Sequence, residues 1–155
     1  MKSKNNSFET GRNKRSKKAV IFDLDGTIAD TTDLAAHHKG NWDDFRDHAK
    51  NAAPKDDIVK KVLKAKSKGR DVVILTARSA HYRKDTSEWL HKNNVPYDAL
   101  IMRPLGDERK DKKVKKDLLK SEILPNFDVK KAYDDKKKNV KMFRKQGIKA
   151  KQVED

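Results

Sequence analysis

Cysteine is absent from this 155-residue sequence, which excludes disulfide bonds, a thiol nucleophile and a zinc–thiolate site. Aromatic residues make up 6% of the chain and hydrophobic residues 34%, so the core has to be small and built from short apolar runs. No run of about 18 apolar residues is present, which excludes a transmembrane helix. The motifs GxxxxGKS and GxxxxGKT are missing, which excludes a P-loop kinase. The motif GxGxxG is also missing. The basic N-terminus has no apolar stretch behind it, so we expect no secretory signal and a soluble, cytoplasmic protein.

Positive charge is what the sequence has in excess. Lys and Arg number 39 against 24 Asp and Glu, which gives a net charge of +15 and a pI near 9.9. The excess lies in residues 1–18 and 103–151, whereas residues 19–102 are close to neutral. This balance suits nucleic acid or an anionic membrane surface as a partner, although charge runs also serve solubility alone. Residues 1–18 contain Phe8 as their one large apolar residue, so we expect a disordered basic tail there.

Short apolar runs alternate with segments whose apolar residues recur at helical spacing. They predict strands at 19–22, 72–75, 99–102, 129–133 and 148–153 and helices at 54–69, 85–94, 110–124 and 136–147. Continuous apolar runs suit strands buried on both faces, and the alternation predicts a parallel sheet with helices on both sides. We therefore expect one α/β domain over residues 19–155, a Rossmann-like three-layer sandwich with a five-stranded, mainly parallel sheet. The polar stretch 28–53 is interpreted as a short cap-like insert.

Charged and hydroxyl side chains follow four of the five predicted strands. In an open α/β sheet, ligands bind beyond the carboxyl ends of the strands, so these side chains are expected to meet. Two acidic pairs facing basic and hydroxyl groups indicate a divalent metal ion together with a phosphoryl group. Carboxylate oxygens suit Mg²⁺, and threonine with the following amides suits phosphate oxygens. In chain order the residues are Asp23, Asp25, Thr27, Thr76, Arg78, Arg103, Asp134 and Asp135.

The spacing Asp-x-Asp-Gly-Thr directly after a buried strand suits a particular chemistry. Asp23 at the strand tip can attack phosphorus to give an aspartyl-phosphate. Asp25 can protonate the leaving oxygen and later activate water, and Gly26 permits the tight turn between the two carboxylates. Two simpler interpretations stay open: Asp25-Gly26 is a common hairpin turn, and Asp134-Asp135 can begin a helix as a cap.

These motifs resemble those of the haloacid dehalogenase-like phosphatases. The segments VIFDLDGTIAD, ILTAR, DKKVKKDLL with its lysines, and AYDD are similar to the four motifs of that family. The stretch from MRPLGDERKDKKVKKDLL to PNFDVKKAYDDKKKNVKMFRKQGIKAKQV resembles the phosphatase domain of bacteriophage polynucleotide kinase–phosphatase. The resemblance covers residues 19–153, and the kinase half of that protein has no counterpart here.

The resemblance implies roles for individual residues. It makes Asp23 the nucleophile and Asp25 the general acid/base, and it makes Lys115 the third-motif lysine, with Lys113 and Lys116 as alternatives. Lys39 departs from the pattern, because the family has an arginine there and lysine loses its two-pronged phosphate geometry. The implied Mg²⁺ site consists of Asp23, the Asp25 carbonyl, Asp134 and Asp135. The implied substrate- and phosphate-binding residues are Thr27, Thr76, Arg78, Arg103, Arg109 and Asp111.

The function that the resemblance implies is a Mg²⁺-dependent phosphatase of nucleic-acid repair, which removes a 3′-phosphate from nucleic-acid ends through an aspartyl-phosphate. Expected partners are phosphorylated DNA or RNA ends and a separate kinase or ligase, with no membrane. If a phage encodes the chain, its place is the host cytoplasm. The 28–53 insert is too short for a full cap domain, so the site stays open to a polymer. The alternatives are a 5′-nucleotidase for free nucleotides and a binding module with a decayed site, against which the intact acidic motifs argue.

Overall fold

The computed structural model describes residues 17–31 and 48–154. A 3₁₀ turn at Ala80–Tyr82 leads into the second helix, and a π-helical segment at Leu119–Ile123 extends the third. None of the helices in the described ranges has the length and apolar character needed to span a bilayer. The elements in chain order are β1 Lys18–Phe22, α1 Asp56–Ser67, β2 Asp71–Ser79, α2 Arg83–Lys92, β3 Ala99–Arg103, α3 Asp111–Leu118, β4 Asp128–Asp134, α4 Lys137–Lys145 and β5 Ala150–Gln152.

Within the described ranges, five strands form one sheet in the order β3-β2-β1-β4-β5, and every neighbouring pair is parallel. The central strand β1 lies between β2 and β4. Because the strands are parallel, the residues directly after β1, β2 and β4 meet at one edge. The predicted α/β, Rossmann-like fold is confirmed.

A separate apolar core covers each face of the sheet. Val20 and Phe22 of β1 pack with the apolar side chains of α1 and α2 on one face. Ala19 and Ile21 pack with those of α3 and α4 on the other. Alternate side chains of a strand point to opposite faces, so the continuous run AVIF supplies both cores, as expected for a strand buried on both sides.

Two differences from the predicted element boundaries bear on the site. Strand β2 continues to Ser79, because Ser79 pairs with Arg103 of β3 after an irregularity in the register. Helix α2 begins at Arg83, two residues early, and Tyr82 at its N-cap makes no side-chain capping bond. Ser79 joins the two elements: it pairs with β3, and its hydroxyl accepts from the His81 N–H at 3.1 Å, which caps the 3₁₀ turn before α2.

The predicted tail and insert fall only partly within the described residues. Lys17 pairs with Asp71 at 3.3 Å and Lys18 begins β1, so these two residues of the predicted tail belong to the folded domain. Residues 1–16 and 32–47, the latter including Lys39, lie outside the described part. At the two ends of the insert, Ile28 is fully buried and the Ala52 carbonyl accepts a hydrogen bond from the Trp89 indole at 2.9 Å.

Candidate active site

The turn after β1 places the first carboxylate at the centre of the sheet edge. The Asp23 N–H donates to the Tyr133 carbonyl of β4 at 2.9 Å, which joins the strand tip to its neighbour. The next residues form a tight turn in which Gly26 has φ +85°. A Cβ on Gly26 would lie 2.2 Å from Oδ2 of Asp135. Glycine is therefore needed here both for the left-handed backbone and for the space that the Asp135 carboxylate occupies.

The Asp23 carboxylate is buried and held on both oxygens. Its Oδ1 accepts from Lys115 Nζ at 2.7 Å, and its Oδ2 accepts from the Thr27 hydroxyl at 3.0 Å. Burial raises the pKa of Asp23 well above its usual range; the Lys115 charge opposes this, whereas Asp134 and Asp135 add to it. Three acidic groups thus converge on one buried position, an arrangement that a cation would stabilise.

Lys115 links two of these carboxylates across the sheet edge. Its Nζ lies 2.7 Å from Asp23 Oδ1 and 2.7 Å from Asp134 Oδ2, and the residue is 2% exposed. Burial alone would lower the pKa of Lys115, but the two carboxylates outweigh it and raise that pKa. The alternatives Lys113 and Lys116 are exposed on α3, so the phase of this helix brings Lys115 to the site and leaves them outside.

The acidic residues at the end of β4 complete a group that fits a metal ion. One oxygen each from Asp23, Asp134 and Asp135 lie within 4.8 Å of one another. Oδ1 of Asp135 is buried without a hydrogen-bond partner, and burial raises the pKa of that carboxyl. A converging set of carboxylate oxygens with one unpartnered buried oxygen suits a hard cation such as Mg²⁺. The side chain of Asp25 lies outside this group, so the predicted contact of Asp25 with the metal is made by its backbone carbonyl.

The second predicted carboxylate forms an ion pair with an arginine of β2. Arg78 donates from Nη2 to Asp25 Oδ1 at 2.5 Å and from Nε to Asp25 Oδ2 at 3.2 Å. Its Nη1 donates to the Thr86 hydroxyl at 3.0 Å, which anchors the guanidinium to α2. The Thr76 hydroxyl accepts from the Arg78 N–H at 3.1 Å. Arg78 therefore orients Asp25 in this structure, while its predicted contact with phosphate stays a prediction.

Arg103 holds the loop between β3 and α3. It donates to the carbonyls of Ala77, Asp107 and Arg109 at 2.7, 2.9 and 2.6 Å, and to Oδ1 of Asp111 at 2.8 Å. These bonds fix the loop that forms one wall of the site.

The other two predicted substrate contacts in this segment also pair with protein side chains. Arg109 donates to Asp107 and to Asp117, and it stays partly exposed. Asp111 accepts from Lys136 at 2.6 Å. Burial would raise the pKa of Asp111, but the hydrogen bond from Lys136 and the charges of Lys136 and Arg103 outweigh it and lower that pKa.

A cavity of about 920 Å³ collects most of the predicted residues. Thr27 and Asp134 do not line it: they lie one hydrogen bond behind it, on Asp23 and Lys115. The predicted residues that line the cavity are Asp23, Asp25, Thr76, Arg78, Arg103, Arg109, Asp111, Lys115 and Asp135.

Sequence reasoning missed several residues of the site, among them Asn139, Lys136, His81 and Tyr82. Asn139 is buried and donates to Asp134 at 3.2 Å from the first turn of α4. Lys136 lines the cavity between Asp135 and α4, and His81 and Tyr82 line its wall in the turn before α2. The sequence could have indicated Asn139, because it stands one helical turn after the paired aspartates. The contributions of Lys136, His81 and Tyr82 depend on tertiary packing.

Comparison with known proteins agrees with this geometry. The family model described as the polynucleotide kinase PNKP phosphatase domain matches residues 17–155. A chain in a structure of a Pnkp1/Rnl/Hen1 complex is 30% identical with a TM-score of 0.79, over 95% of this chain and 50% of that one. A structure of the Pnkp1/Rnl/Hen1 RNA repair complex gives the same identity and TM-score over 95% of this chain and 45% of its own. The present chain thus spans about half the length of these relatives.

A more distant structure shares the fold. The class C acid phosphatase from Bacillus anthracis is 19% identical, with a TM-score of 0.63 over 80% of this chain and 53% of that one. The family match covers the whole described domain, including Asp23, Lys115, Asp134 and Asp135. The chain therefore belongs to the family of polynucleotide kinase PNKP phosphatase domains, within the haloacid dehalogenase-like fold.

Proposed function

We propose that this chain is a Mg²⁺-dependent phosphatase that removes a terminal phosphate, the 3′-phosphate, from nucleic-acid ends. One observation carries the proposal: Asp23, fixed by Lys115 and Thr27 beside Asp134 and Asp135, lies at the base of an open cavity. A buried carboxylate whose two oxygens are both held is suited to attack a bound phosphoryl group in one orientation.

The residues divide the chemistry between two steps. In the first, an Asp23 oxygen forms a bond to phosphorus while the bond from phosphorus to the ester oxygen breaks, and Asp25, once it has taken up a proton from solvent and left its ion pair with Arg78, gives that oxygen the proton. In the second, Asp25 takes a proton from water as the water oxygen attacks phosphorus. The bond to Asp23 then breaks and releases phosphate. In this structure Arg78 holds the Asp25 carboxylate at the cavity.

Two cations would offset the negative charge that builds up in this site. The Lys115 ammonium already lies on Asp23 and Asp134. Held by Asp23, the Asp25 carbonyl, Asp134 and Asp135, Mg²⁺ would neutralise the charge of the carboxylates and the phosphoryl oxygens. Asn139 keeps Asp134 oriented for that task.

Charge and openness support a polymer as the substrate. Residues 103–151 hold most of the positive charge of the folded part, and the volume of the cavity is about 920 Å³. One relative comes from an RNA repair complex, which supports a nucleic-acid end as the substrate. It also supports a partner protein, as predicted for a separate kinase or ligase.

We also propose that residues 19–155 act as one domain in which residues 28–53 are a short insert. The proposed location of the protein is the cytoplasm.

The test is phosphate release from matched oligonucleotides. DNA and RNA strands of one sequence, each carrying a 3′-phosphate or a 5′-phosphate, are incubated with the protein and Mg²⁺, with Asp23→Asn as the control. We expect release from the 3′-phosphorylated strands alone and none from the variant. Release from a free mononucleotide but from no oligonucleotide would replace the proposal with the 5′-nucleotidase. Release from 5′-phosphorylated strands alone would refute the 3′ assignment.

A further inference from the structure

A narrow groove separates α3 from α4 on the face of the sheet opposite α1 and α2. Its volume is about 170 Å³, and the buried side chain of Met142 lies at its base. Five lysines flank it, all of them exposed, and we call them the lysine groove: Lys112, Lys116, Lys138, Lys141 and Lys145. The cavity described above is lined by none of these five.

The charge of the lysine groove is not neutralised within the described residues. None of its five ammonium groups forms an ion pair or hydrogen bond with another described side chain. The nearby carboxylates are already engaged, since Asp111 binds Arg103 and Lys136, and Asp117 binds Arg109.

The spacing of these lysines works against the stability of the two helices. Lys112 and Lys116 stand at positions i and i+4, as do Lys141 and Lys145, and like charges at that spacing destabilise a helix. Folding alone therefore gives no reason for five cations to face one another across a groove. An anionic ligand would offset their repulsion, and a chain of phosphates supplies anions in a row.

The lysine groove and the catalytic cavity lie against the same two helices, at the starts of α3 and α4. Lys112 follows Asp111 directly, and Lys138 lies two residues after Lys136. Both Asp111 and Lys136 line the cavity, and their ion pair of 2.6 Å joins the start of α3 to the start of α4. A strand whose end lies in the cavity can thus continue between the two helices.

We propose that the lysine groove binds the sugar–phosphate backbone of the strand whose terminal phosphate lies in the cavity. This inference rests on the proposed function. Along a helix the rise is about 1.5 Å per residue, so Lys141 and Lys145 stand about 6 Å apart and form a row of point charges. Lysine contacts to phosphate carry no sequence information, so the groove adds uniform binding: it lowers KM for long strands and leaves kcat unchanged.

The experiment compares two triple variants that lose the same charge. The groove variant is Lys116→Gln, Lys141→Gln and Lys145→Gln. The control is Lys60→Gln, Lys64→Gln and Lys68→Gln, which are exposed on or directly after α1, on the opposite face. Each protein is assayed on two substrates with the same phosphorylated end: a dinucleotide, and a strand longer than about 16 nucleotides, beyond the usual site of one binding fold.

We expect the kinetics to change only in the groove variant and only on the long strand. Each phosphate contact contributes about −0.7 to the slope of log K against log salt for a single strand, so three lost contacts make the slope less steep by about 2. The groove variant should show this, together with a KM for the long strand raised roughly tenfold, the order expected for three exposed ion pairs. Its kcat, and its kinetics on the dinucleotide, should match those of the wild type. The control variant should match the wild type on both substrates.

Three outcomes would overturn the inference. Equal losses in the groove and control variants would show a general effect of net charge, and equal losses on the dinucleotide and the long strand would show an effect on the catalytic cavity. Binding of the unphosphorylated long strand, followed by fluorescence anisotropy, separates this inference from the proposed function, because it requires no hydrolysis. Weaker binding by the groove variant alone supports the groove even if no strand is hydrolysed. Unchanged binding refutes nucleic acid as its occupant and directs the search to an acidic protein.

Discussion

Replacing Lys115 with methionine tests how the buried charges are balanced. Methionine preserves most of the packed volume but removes the ammonium that lies 2.7 Å from both Asp23 and Asp134. The two carboxylates stay in place at 5% and 1% exposure, without the cation that paired them. Removing one partner of a buried ion pair costs about 3–5 kcal/mol in the free energy of unfolding. That is a large fraction of the roughly 5–15 kcal/mol that stabilises a typical domain.

The assay is urea unfolding followed by circular dichroism, in EDTA, with Lys116→Met as the matched control. With an m-value of about 2 kcal/mol per molar urea, the Lys115→Met variant should unfold about 2 M earlier than the wild type. Lys116 is exposed on the same helix, so its replacement should change stability by no more than about 0.5 kcal/mol. Adding Mg²⁺ should stabilise the Lys115→Met variant more than the wild type, because no ammonium then competes for the carboxylate oxygens. An unfolding free energy within about 1 kcal/mol of the wild type in EDTA would refute this account of the site.

Three further predictions concern the geometry of the site. Asp23→Asn should reduce phosphate release by several orders of magnitude with the circular dichroism spectrum unchanged, and substantial residual turnover would exclude Asp23 as the nucleophile. Chelation by EDTA should abolish activity and leave the protein folded, since two apolar cores hold the sheet; activity that survives EDTA would exclude a metal-dependent step. Gly26→Ala should raise the Mg²⁺ concentration needed for half-maximal activity, because its Cβ would displace the Asp135 carboxylate 2.2 Å away. A melting curve taken in parallel separates that effect from the strain of φ +85°, and an unchanged Mg²⁺ requirement would contradict it.

The structural similarity to phosphatases does not by itself identify the substrate. The class C acid phosphatase shares the fold at 19% identity, and folds of this kind serve many substrates. The position of the positive charge bears on the substrate. The lysine groove lies between α3 and α4, whose starts border the cavity, and it carries five cations that pair with no other described side chain. The long-strand assay is therefore the experiment that separates a polymer substrate from a free nucleotide.

The order of the secondary-structure elements and the first two carboxylates were determined by the sequence itself. A continuous apolar run such as AVIF leaves no polar face, so it suits a strand buried on both faces, and the residues directly after it lie at the edge of a parallel sheet. Gly26 likewise marked the turn, because the left-handed backbone there favours glycine. These are local properties that depend on neighbours along the chain.

The partners of those residues were decided by the tertiary structure. Lys115 was the expected lysine of α3, with Lys113 and Lys116 as alternatives, and the phase of the helix against the sheet puts Lys115, 92 residues from Asp23, between the two aspartates. Arg103 lines the cavity, and the tertiary structure gave its donors three backbone carbonyls and Asp111 as partners, which the sequence did not reveal. Periodicity shows which residues share a face of a helix, but the rotation of that helix against its neighbours is set by packing across the whole core. Buried charges depend on this rotation most strongly, because each must find its partner within a few ångströms.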